Sequence, residues 1–320
     1  MAGSRGSMIN GIINVYKEKG YTSHDVVAKL RGILKQKRIG HTGTLDPEAE
    51  GVLPVCLGRA TRVCDMLTEK DKVYEAVLLL GKTTDTQDMT GTVLEEKQVT
   101  CSSGEVLEAI AGFTGTQEQI PPMYSALKVN GKKLCDLARA GIEVERKPRE
   151  ITVFSIRVLK EELPEVQMQV HCSKGTYIRT LCHDIGQKLG CGGCMKSLLR
   201  TRVAEFELKD AVRLAEIEAQ VQAVRGRESQ KELTGADLPG LVKNTDCVFL
   251  QYPCSAVKGE FSRLLYNGNA LKPEWLTEWH KEYQQTILRL YDENQLFAGI
   301  YRWDEKRKEL KPVRIFMDLS

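Results

Sequence analysis

The segment GHTGTLDPEAEGVLPVCLGRATR, which runs from Gly40 to Arg62, contains the most informative candidate residue of the chain. Its Asp46 precedes Pro47, and a residue before proline is pushed away from helical backbone angles. We therefore expect Asp46 to lie in an extended or turn conformation. A single aspartate in a loop rich in glycine and threonine is usually a turn former. Taken alone, the segment leaves both a structural and a catalytic role open for Asp46.

The residues before this segment predict an amphipathic helix. Ser23 is a candidate N-cap, and Asp25 would lie in the first turn, where an acidic side chain is favourable. Apolar residues repeat at helical spacing and give one buried stripe: Val26, Val27, Leu30, Ile33 and Leu34. Gly40 is placed to end this helix, because glycine readily adopts the left-handed conformation of a helix terminus.

The rest of the chain predicts strands and helices followed by a β-rich tail. Strands are predicted at residues 73–80, 151–159 and 166–170, and helices after the Ser102–Glu105 capping box, after residues 173–176 and over about residues 213–230. Beyond residue 246 the predicted strands are short: 247–250, 270–271, 286–291, 296–303 and 312–316. This pattern predicts a separate small β-rich domain at the C-terminus.

The composition is that of an ordinary globular protein. Of the 320 residues, 42% are apolar and 28% are charged. No run of about eighteen apolar residues occurs, so no membrane span is expected, and no signal peptide is apparent. Ten cysteines without a secretory signal favour a cytoplasmic location. Residues 1–7 are interpreted as an N-terminal extension or tag remnant.

The pair Cys191-Gly-Gly-Cys194 has the spacing of half a zinc or redox site. A zinc site needs about four ligands, and no second C-x-x-C follows in the sequence. Cys172 and Cys182 lie nearby and leave a metal open as the alternative. Ordinary reduced thiols are the expectation, and no metal is predicted.

Positive charge is concentrated in two stretches, although the net charge is only +3. Residues 26–45 contain five basic residues and no acidic one, and residues 123–160 contain nine basic residues and four acidic ones. Local basic excess suits contact with a polyanion over a limited surface. It is equally typical of solvated helix faces.

The Gly40–Arg62 segment closely resembles the catalytic motif of the TruB family of tRNA pseudouridine synthases. Four further blocks match that family in order: KVYE from Lys72 with GKTTDTQDMTG from Gly81, IPPMYSALKVNGKKL from Ile120, HCSKGTYIRTL from His171, and the Leu198–Arg202 segment. The resemblance runs continuously over about residues 9–206. Five blocks in one order make it specific.

The resemblance implies an α/β (α+β) fold with a large mixed, mainly antiparallel sheet flanked by helices. It implies a catalytic domain at residues 8–245, with an RNA-gripping insertion at about residues 125–148. The tail, residues 246–320, resembles a small PUA-like RNA-binding domain that would reach the acceptor stem of tRNA. The implied protein is a monomer that binds the T stem-loop of tRNA.

The resemblance also implies roles for residues around the reacting base. Asp46 is the catalytic carboxylate, and Arg179 is its partner. Tyr74 stacks against a uridine base that has been flipped out of the RNA. Tyr177 and Leu198 pack around that base.

A second group of residues is implied to meet the RNA. His41 fills the gap left by the flipped nucleotide, and Lys17 lies near the site. The insertion supplies basic contacts: Lys128, Lys132, Lys133 and Arg139. Two positions depart from the family pattern, with Glu18 where proline is usual and Cys135 where tyrosine is common.

The implied reaction breaks the bond between uridine N1 and ribose C1′, turns the base and reattaches it through C5. No redox change occurs and no atoms enter or leave, so neither a cofactor nor a metal is expected. A carboxylate that acts as nucleophile or general base is required. The sequence leaves open whether it attacks the base ring or assists at the sugar.

Three functions fit these observations. The first is a stand-alone enzyme that modifies uridine 55 in the T loop of tRNA. The second is an RNA-binding chaperone that grips the T arm, and the third is a synthase that depends on a guide RNA. The basic insertion between the strands at residues 73–80 and 151–159 favours the stand-alone type, which needs no guide RNA.

Overall fold

The computed structural model describes residues 8–227 and 233–317. Residues 1–7, and residues 228–230 at the end of the predicted charged helix, lie outside the described part. The described strands are, in chain order, β1 (Gly11–Lys17), β2 (Ile39–His41), β3 (Glu50–Leu57), β4 (Lys72–Leu80), β5 (Lys82–Thr84), β6 (Val93–Glu96), β7 (Gly115–Gln119), β8 (Lys128–Val129), β9 (Lys132–Lys133), β10 (Arg149–Glu162), β11 (Glu165–Cys172), β12 (Gly193–Val203), β13 (Phe206–Glu207), β14 (Val212–Arg213), β15 (Cys254–Ala256), β16 (Ile287–Tyr291), β17 (Phe297–Asp304) and β18 (Glu309–Ile315). The described α-helices are α1 (Ser23–Leu34), α2 (Cys64–Thr68), α3 (Ser103–Ala111), α4 (Leu134–Arg139), α5 (Ile178–Lys188), α6 (Leu214–Arg227) and α7 (Ser262–Tyr266).

A large mixed sheet forms the centre of the fold. Its strands follow the order β14-β1-β3-β12-β4-β11-β10-β7, with β2 paired to β3 and β13 paired to β12. The pairs β1–β14 and β3–β12 are parallel, and the other neighbouring pairs are antiparallel. This confirms the predicted large mixed, mainly antiparallel sheet. Among the helices of the described ranges, none combines the length and hydropathy that a bilayer-spanning helix requires.

One half of the sheet is covered by helices α3 and α5. Residues of β4 alternate between buried and partly exposed, because neighbouring side chains of a strand point to opposite faces. The buried set includes Tyr74 and Ala76, which belong to an apolar cluster together with Ile110 of α3 and Leu181 of α5. The candidate site lies against this apolar cluster.

Helices α1 and α6 cover the other half of the sheet, near β1 and β3. Leu30 of α1, Ile217 of α6, and Ile13 of β1 share a second apolar cluster. Each of these side chains is fully excluded from solvent. The helical stripe predicted for residues 26–34 therefore packs on the sheet, as its spacing indicates.

The boundaries of α1 differ from the prediction. Thr22 is the N-cap: its hydroxyl accepts a hydrogen bond from the Asp25 backbone N–H at 3.1 Å, so the predicted cap at Ser23 is wrong by one residue. Lys35 adopts the left-handed conformation that closes the helix, and the predicted terminator Gly40 lies in β2. The residue that ends the helix, Lys35, therefore lies five residues before the predicted terminator, Gly40.

The C-terminal part forms a sheet of its own, in the order β15-β16-β17-β18, which confirms the predicted β-rich tail. Leu288, Tyr301 and Leu310 belong to its core. The opposite side of this sheet shares an apolar cluster with the central sheet, in which Ile300 lies with Val52 of β3.

The strand predicted at residues 247–250 is wrong. Residues Thr245–Phe249 form a short 3-10 helix instead. Consecutive side chains, Val248 and Phe249, both enter the cluster shared with the central sheet, and an extended strand would point one of them away.

A close approach between β3 and β12 positions the loop that precedes β3. Gly51 has a φ of +105°, and a Cβ atom there would lie 2.2 Å from the carbonyl oxygen of Arg200. The two strands pair in parallel at Glu50 with Leu199 and at Gly51 with Arg200. A side chain at position 51 would force this junction apart, so glycine is required at this position.

Candidate active site

Asp46 lies in the loop that joins β2 to β3, outside helix and strand, as its position before proline predicted. The loop is anchored by its apolar neighbours, because Leu45 and Ala49 are 3% and 1% exposed. Ser23 at the start of α1 accepts a hydrogen bond from the Leu45 N–H at 2.9 Å. The Asp46 side chain itself remains 34% exposed. A rigid loop thus presents one partly accessible carboxylate.

Arg179, at the start of α5, contacts both oxygens of that carboxylate. Its Nε lies 2.9 Å from Oδ2 of Asp46, and its Nη2 lies 3.3 Å from Oδ1. The same guanidinium donates to the carbonyl oxygens of Thr86, at 3.1 Å, and Tyr124, at 2.8 Å. Arg179 is 6% exposed, so its orientation is fixed on all sides. The contact predicted between Asp46 and Arg179 is present.

A second carboxylate lies on the far side of this arginine. Asp88 Oδ2 is 3.7 Å from Arg179 Nη1, and its Oδ1 accepts hydrogen bonds from the Thr90 N–H and the Thr86 hydroxyl. The pKa of Asp46 is raised, chiefly because burial disfavours its charged form, while the positive charge of Arg179 opposes the rise and Asp88 adds to it. Arg179 is therefore what favours an ionised Asp46 in this environment.

Apolar and aromatic side chains lie next to the Asp46 carboxylate. Tyr74 and Leu198 are each 9% exposed and share the apolar cluster that contains Leu45. Tyr177 lies just before α5, and Gln119 fixes its backbone: the Gln119 amide accepts from the Tyr177 N–H at 2.8 Å and donates to its carbonyl at 3.0 Å. Burial raises the pKa of both tyrosines, so both phenols remain protonated at neutral pH.

The structure corrects the expectation that Lys17 contacts RNA. Lys17 is fully buried, and its Nζ donates hydrogen bonds to the carbonyl oxygens of Pro47, at 3.0 Å, Glu18, at 3.2 Å, and Ala49. Burial lowers the pKa of Lys17 to about 8. Since β1 runs beneath the loop, this lysine supports the turn after Asp46 rather than reaching a phosphate.

His41 ends β2 and faces the same loop. Its Nδ1 accepts a hydrogen bond from the Gly43 N–H at 3.3 Å, and its ring meets the ring of His24 edge to face at 5.1 Å. Burial, with help from His24 and Arg200, lowers the pKa of His41 to about 4. His41 is therefore uncharged at neutral pH, which fits a space-filling role; contact with RNA stays a prediction.

The insertion forms the β8–β9 hairpin followed by α4. Leu134 anchors it and is 1% exposed. The basic side chains predicted to meet RNA all lie on its exposed surface: Lys128, Lys132, Lys133 and Arg139. They are accessible to a polyanion, and the contact itself stays a prediction.

Three residues at the site were not identified from the sequence. Asp88 lies within the GKTTDTQDMTG motif, where it resembles the other turn-forming residues. Gln119 has the sequence context of an ordinary strand residue. Arg200 is 1% exposed and donates to the carbonyl oxygen of Val52 at 2.7 Å. Arg200 lies in the Leu198–Arg202 segment that resembles the family, but nothing in the sequence marks it as buried at the site.

The cysteines show no sign of an assembled metal site. All ten are free thiols, and Cys191 and Cys194 are buried. Within residues 8–227 and 233–317, no group of three or more potential ligands is arranged to hold a metal ion.

Two family models match the chain and together cover most of it. The model described as "TruB family pseudouridylate synthase (N terminal domain)" matches residues 31–178, and "tRNA pseudouridylate synthase B C-terminal domain" matches residues 179–244. Both describe pseudouridine synthases, a class of isomerases that act on uridine in RNA.

Curated relatives agree along nearly the full length. The tRNA pseudouridine synthase B of Lachnoclostridium phytofermentans is 56% identical over 320 residues, covering 97% of this chain and 100% of the relative. That of Clostridium kluyveri is 41% identical over 309 residues, with 97% and 100% covered. The chain belongs to the TruB family of pseudouridine synthases.

Solved structures support the fold. The chain is similar to one in "Crystal Structure of a Cbf5-Nop10-Gar1 Complex", with a TM-score of 0.71, 25% identity, and coverage of 97% of this chain and 85% of that one. It is also similar to a chain in "Structure of H/ACA RNP bound to a substrate RNA containing 2'-deoxyuridine", with a TM-score of 0.70, 23% identity, and coverage of 97% and 86%.

Proposed function

We propose that this pseudouridine synthase isomerises uridine 55 in the T loop of tRNA, with Asp46 as the catalytic carboxylate. The supporting observation is the Asp46–Arg179 pair, in which an accessible carboxylate is held by a buried guanidinium. The names of the full-length relatives, tRNA pseudouridine synthase B, support tRNA as the substrate.

The reaction needs a carboxylate and no external reagent. The bond between N1 and C1′ breaks, the base turns, and a bond forms between C5 and C1′. The C5–H bond then breaks with loss of its proton and N1 takes up a proton, so the product has the same atoms as the substrate. Asp46 acts as nucleophile or general base, and in both roles it must be ionised. Arg179 favours that form and fixes the direction of both oxygens by charge-assisted hydrogen bonds.

The uridine must leave the RNA stack to reach Asp46. Tyr74, Tyr177 and Leu198 provide the surface that replaces the lost stacking, an effect worth roughly 1–3 kcal/mol per base. His41 occupies the gap in the RNA. Because His41 is uncharged at neutral pH, it fills this space without adding a positive charge.

Two further parts of the chain grip the tRNA. The insertion at residues 125–148 closes over the T stem-loop with its exposed basic side chains. The β15–β18 sheet, in the unit at residues 246–320, is a PUA-like RNA-binding domain that reaches the acceptor stem, and residues 8–245 form the catalytic domain. Contacts to phosphate would supply affinity, and base contacts would supply the choice of nucleotide.

The decisive experiment compares wild-type protein with Asp46→Asn on an unmodified tRNA transcript, with Asp65→Asn as a matched control. Asp65 lies on α2 with a 76% exposed side chain. Mass-spectrometric mapping should find pseudouridine at position 55 with wild-type and the control, and none with Asp46→Asn, while all three bind tRNA with similar affinity. Turnover near wild-type by Asp46→Asn would exclude this mechanism.

The same assay separates the alternatives. It contains no other RNA, so an enzyme that depends on a guide RNA would be inactive with wild-type protein. A chaperone that only grips the T arm would bind and refold tRNA in all three samples without forming pseudouridine.

A further inference from the structure

Among the residues that the structure describes, Arg200 is the largest side chain that is almost completely buried, and its guanidinium is directed at the loop that carries Asp46. Its Nε donates to the Val52 carbonyl oxygen at 2.7 Å. Its Nη2 lies 3.3 Å from the carbonyl oxygen of Gly43, and its Nη1 lies 3.4 Å from that of Thr44. One side chain on β12 therefore holds both the beginning of the loop and the strand that follows it.

Arg200 also reaches Tyr74. The two residues lie directly opposite each other on the antiparallel strands β12 and β4, so their side chains project from the same face of the sheet. Both side chains are buried, at 9% exposure for Tyr74 and 1% for Arg200, and the positive charge of Arg200 acts on the Tyr74 phenol. Arg200 thus connects the loop of Asp46 to the aromatic residue proposed to meet the base.

The contacts of Arg200 are unusual for a buried charge. Among residues 8–227 and 233–317, no carboxylate lies within ion-pair distance of it; its hydrogen bonds end on carbonyl oxygens, those of Val52, Thr44 and Gly43. A charge removed from water is costly unless it is paired and hydrogen-bonded. An apolar residue could fill the same space at lower cost, which indicates that the guanidinium is retained for what it holds in place.

We propose that Arg200 is a positioning residue for the pseudouridine reaction, which fixes the Gly43–Thr44 backbone and the Tyr74 phenol in one arrangement around Asp46. This inference rests on the proposed function. It assigns to Arg200 no contact with the substrate. Its effect on the rate is transmitted through the loop and through Tyr74.

The electrostatic surroundings agree with this assignment. Burial raises the pKa of Tyr74, and the positive charge of Arg200 opposes that rise, while Asp46 and Cys172 add to it. Three further ionisable groups feel the charge of Arg200: Lys17, His41 and Lys72. Arg200 lowers the pKa of each of them, so it also favours the uncharged form of His41.

Arg200→Met tests the proposal, because methionine fills part of the space but cannot donate a hydrogen bond. The matched control is Arg202→Met, two residues along the same strand, where the arginine pairs with Asp71 at 2.9 Å on a half-exposed surface. For Arg200→Met we expect a single-turnover rate at saturating enzyme that falls about 100-fold, as for lost hydrogen bonds to a charged group. The Kd for tRNA should change less than about threefold, and the control should keep both values.

A conservative variant and a double-mutant cycle distinguish positioning by Arg200 from a general loss of structure. Arg200→Lys keeps the charge but cannot span the same acceptors, so its rate should also fall, by at least about tenfold. Tyr74→Phe should cost less in the Arg200→Lys background than in wild-type, because the two residues act on each other. Wild-type rate in folded Arg200→Met, additive effects in the cycle, or failure of both Arg200 variants to fold would overturn the proposal.

The proposed function is checked in the same experiment. Wild-type protein must form pseudouridine in the tRNA, and Asp46→Asn must not. If that comparison fails, the proposed function has failed; if it holds and Arg200→Met keeps its rate, only the role of Arg200 has failed.

Discussion

The guanidinium of Arg179 grips both oxygens of Asp46, with 2.9 Å from Nε to Oδ2 and 3.3 Å from Nη2 to Oδ1, across a sequence separation of 133 residues. The arginine is held in turn by two backbone carbonyls, those of Thr86 and Tyr124, which belong to different segments. Three loops and one helix start must therefore be correctly folded before the carboxylate is oriented. The orientation of the Asp46 carboxylate therefore depends on contacts from segments that are far apart in the chain.

Arg179→Lys should reduce the single-turnover rate by roughly 10- to 150-fold. Lysine keeps the charge but cannot contact both carboxylate oxygens and two carbonyls together, and hydrogen bonds to charged groups contribute about 1.5–3 kcal/mol. The tRNA affinity should stay within about threefold, because the proposed function places the pair at the base and not at the RNA backbone. Rapid-quench kinetics with excess enzyme measure the rate.

The control for this variant is Arg213→Lys. Arg213 also contacts a carboxylate, Glu18, at 2.6 Å, but on a half-exposed surface, where an ion pair contributes little. A rate equal to wild-type in Arg179→Lys would mean that the charge alone, without the two-point contact, supports Asp46.

The single-turnover rate should depend on pH through the ionisation of Asp46. The groups around Asp46 raise or lower its pKa and thereby set the midpoint of the pH profile. Burial raises the pKa of Asp46 above the ordinary value of about 3.9, and the proposed function requires the ionised carboxylate. The rate should therefore fall as the pH drops, with a midpoint above about 3.9. In Asp88→Asn the midpoint should move to lower pH, because the nearby negative charge that raises the Asp46 pKa is gone.

Single-turnover rates between about pH 4 and pH 8 provide the measurement. His41, whose pKa is about 4, is separated from Asp46 by repeating the series in His41→Asn. A midpoint that moves to higher pH in Asp88→Asn would show that the charge of Asp88 acts on Asp46 in the opposite sense.

The sequence predicted the elements of the fold well where a local signal existed. The capping box at Ser102 and Glu105 marks the start of α3, and the alternation in residues 166–170 marks β11, because both patterns depend on near neighbours. The strand predicted at residues 247–250 failed because packing against a distant strand, and not local pattern, fixes Val248 and Phe249.

The residues of the candidate site were likewise predicted correctly only where the sequence contained a signal for them. The Asp46–Arg179 contact was predictable because the resemblance related two motifs that are far apart in sequence. Lys17 was misplaced because the sequence contains no sign that β1 passes under the loop and buries its last side chain. Arg200 was missed since its partners are backbone carbonyls, which have no signature in a sequence.

Removing charge from the basic insertion should weaken tRNA binding without affecting chemistry. The triple variant Lys128→Gln, Lys132→Gln, Lys133→Gln removes three exposed charges from the β8–β9 hairpin. Each phosphate contact contributes roughly 0.7 to 0.9 to the slope of log K against log salt concentration, so the slope should become less negative by about 2 to 3. The single-turnover rate at saturating enzyme should stay near wild-type.

Filter binding at several salt concentrations gives these slopes. The control is Lys97→Gln with Lys209→Gln, since both lysines pair with neighbouring glutamates on exposed surfaces. An unchanged slope in the triple variant would place the RNA away from the hairpin.

Lys17→Met should destabilise the fold and slow the reaction together, because Lys17 supports the turn that follows Asp46. Its Nζ donates to the carbonyl oxygens of Pro47, Glu18 and Ala49. Methionine would leave the Ala49 carbonyl without this donor, while Pro47 and Glu18 keep the backbone N–H groups of Gly20 and Tyr21. A buried polar group without a partner costs about 1–3 kcal/mol, so urea unfolding monitored by circular dichroism should show a loss of that size. Lys19→Met, which removes an exposed lysine paired with Glu48, should change stability by less than about 0.5 kcal/mol. A Lys17→Met protein with wild-type stability and rate would mean that the loop holds Asp46 without help from β1.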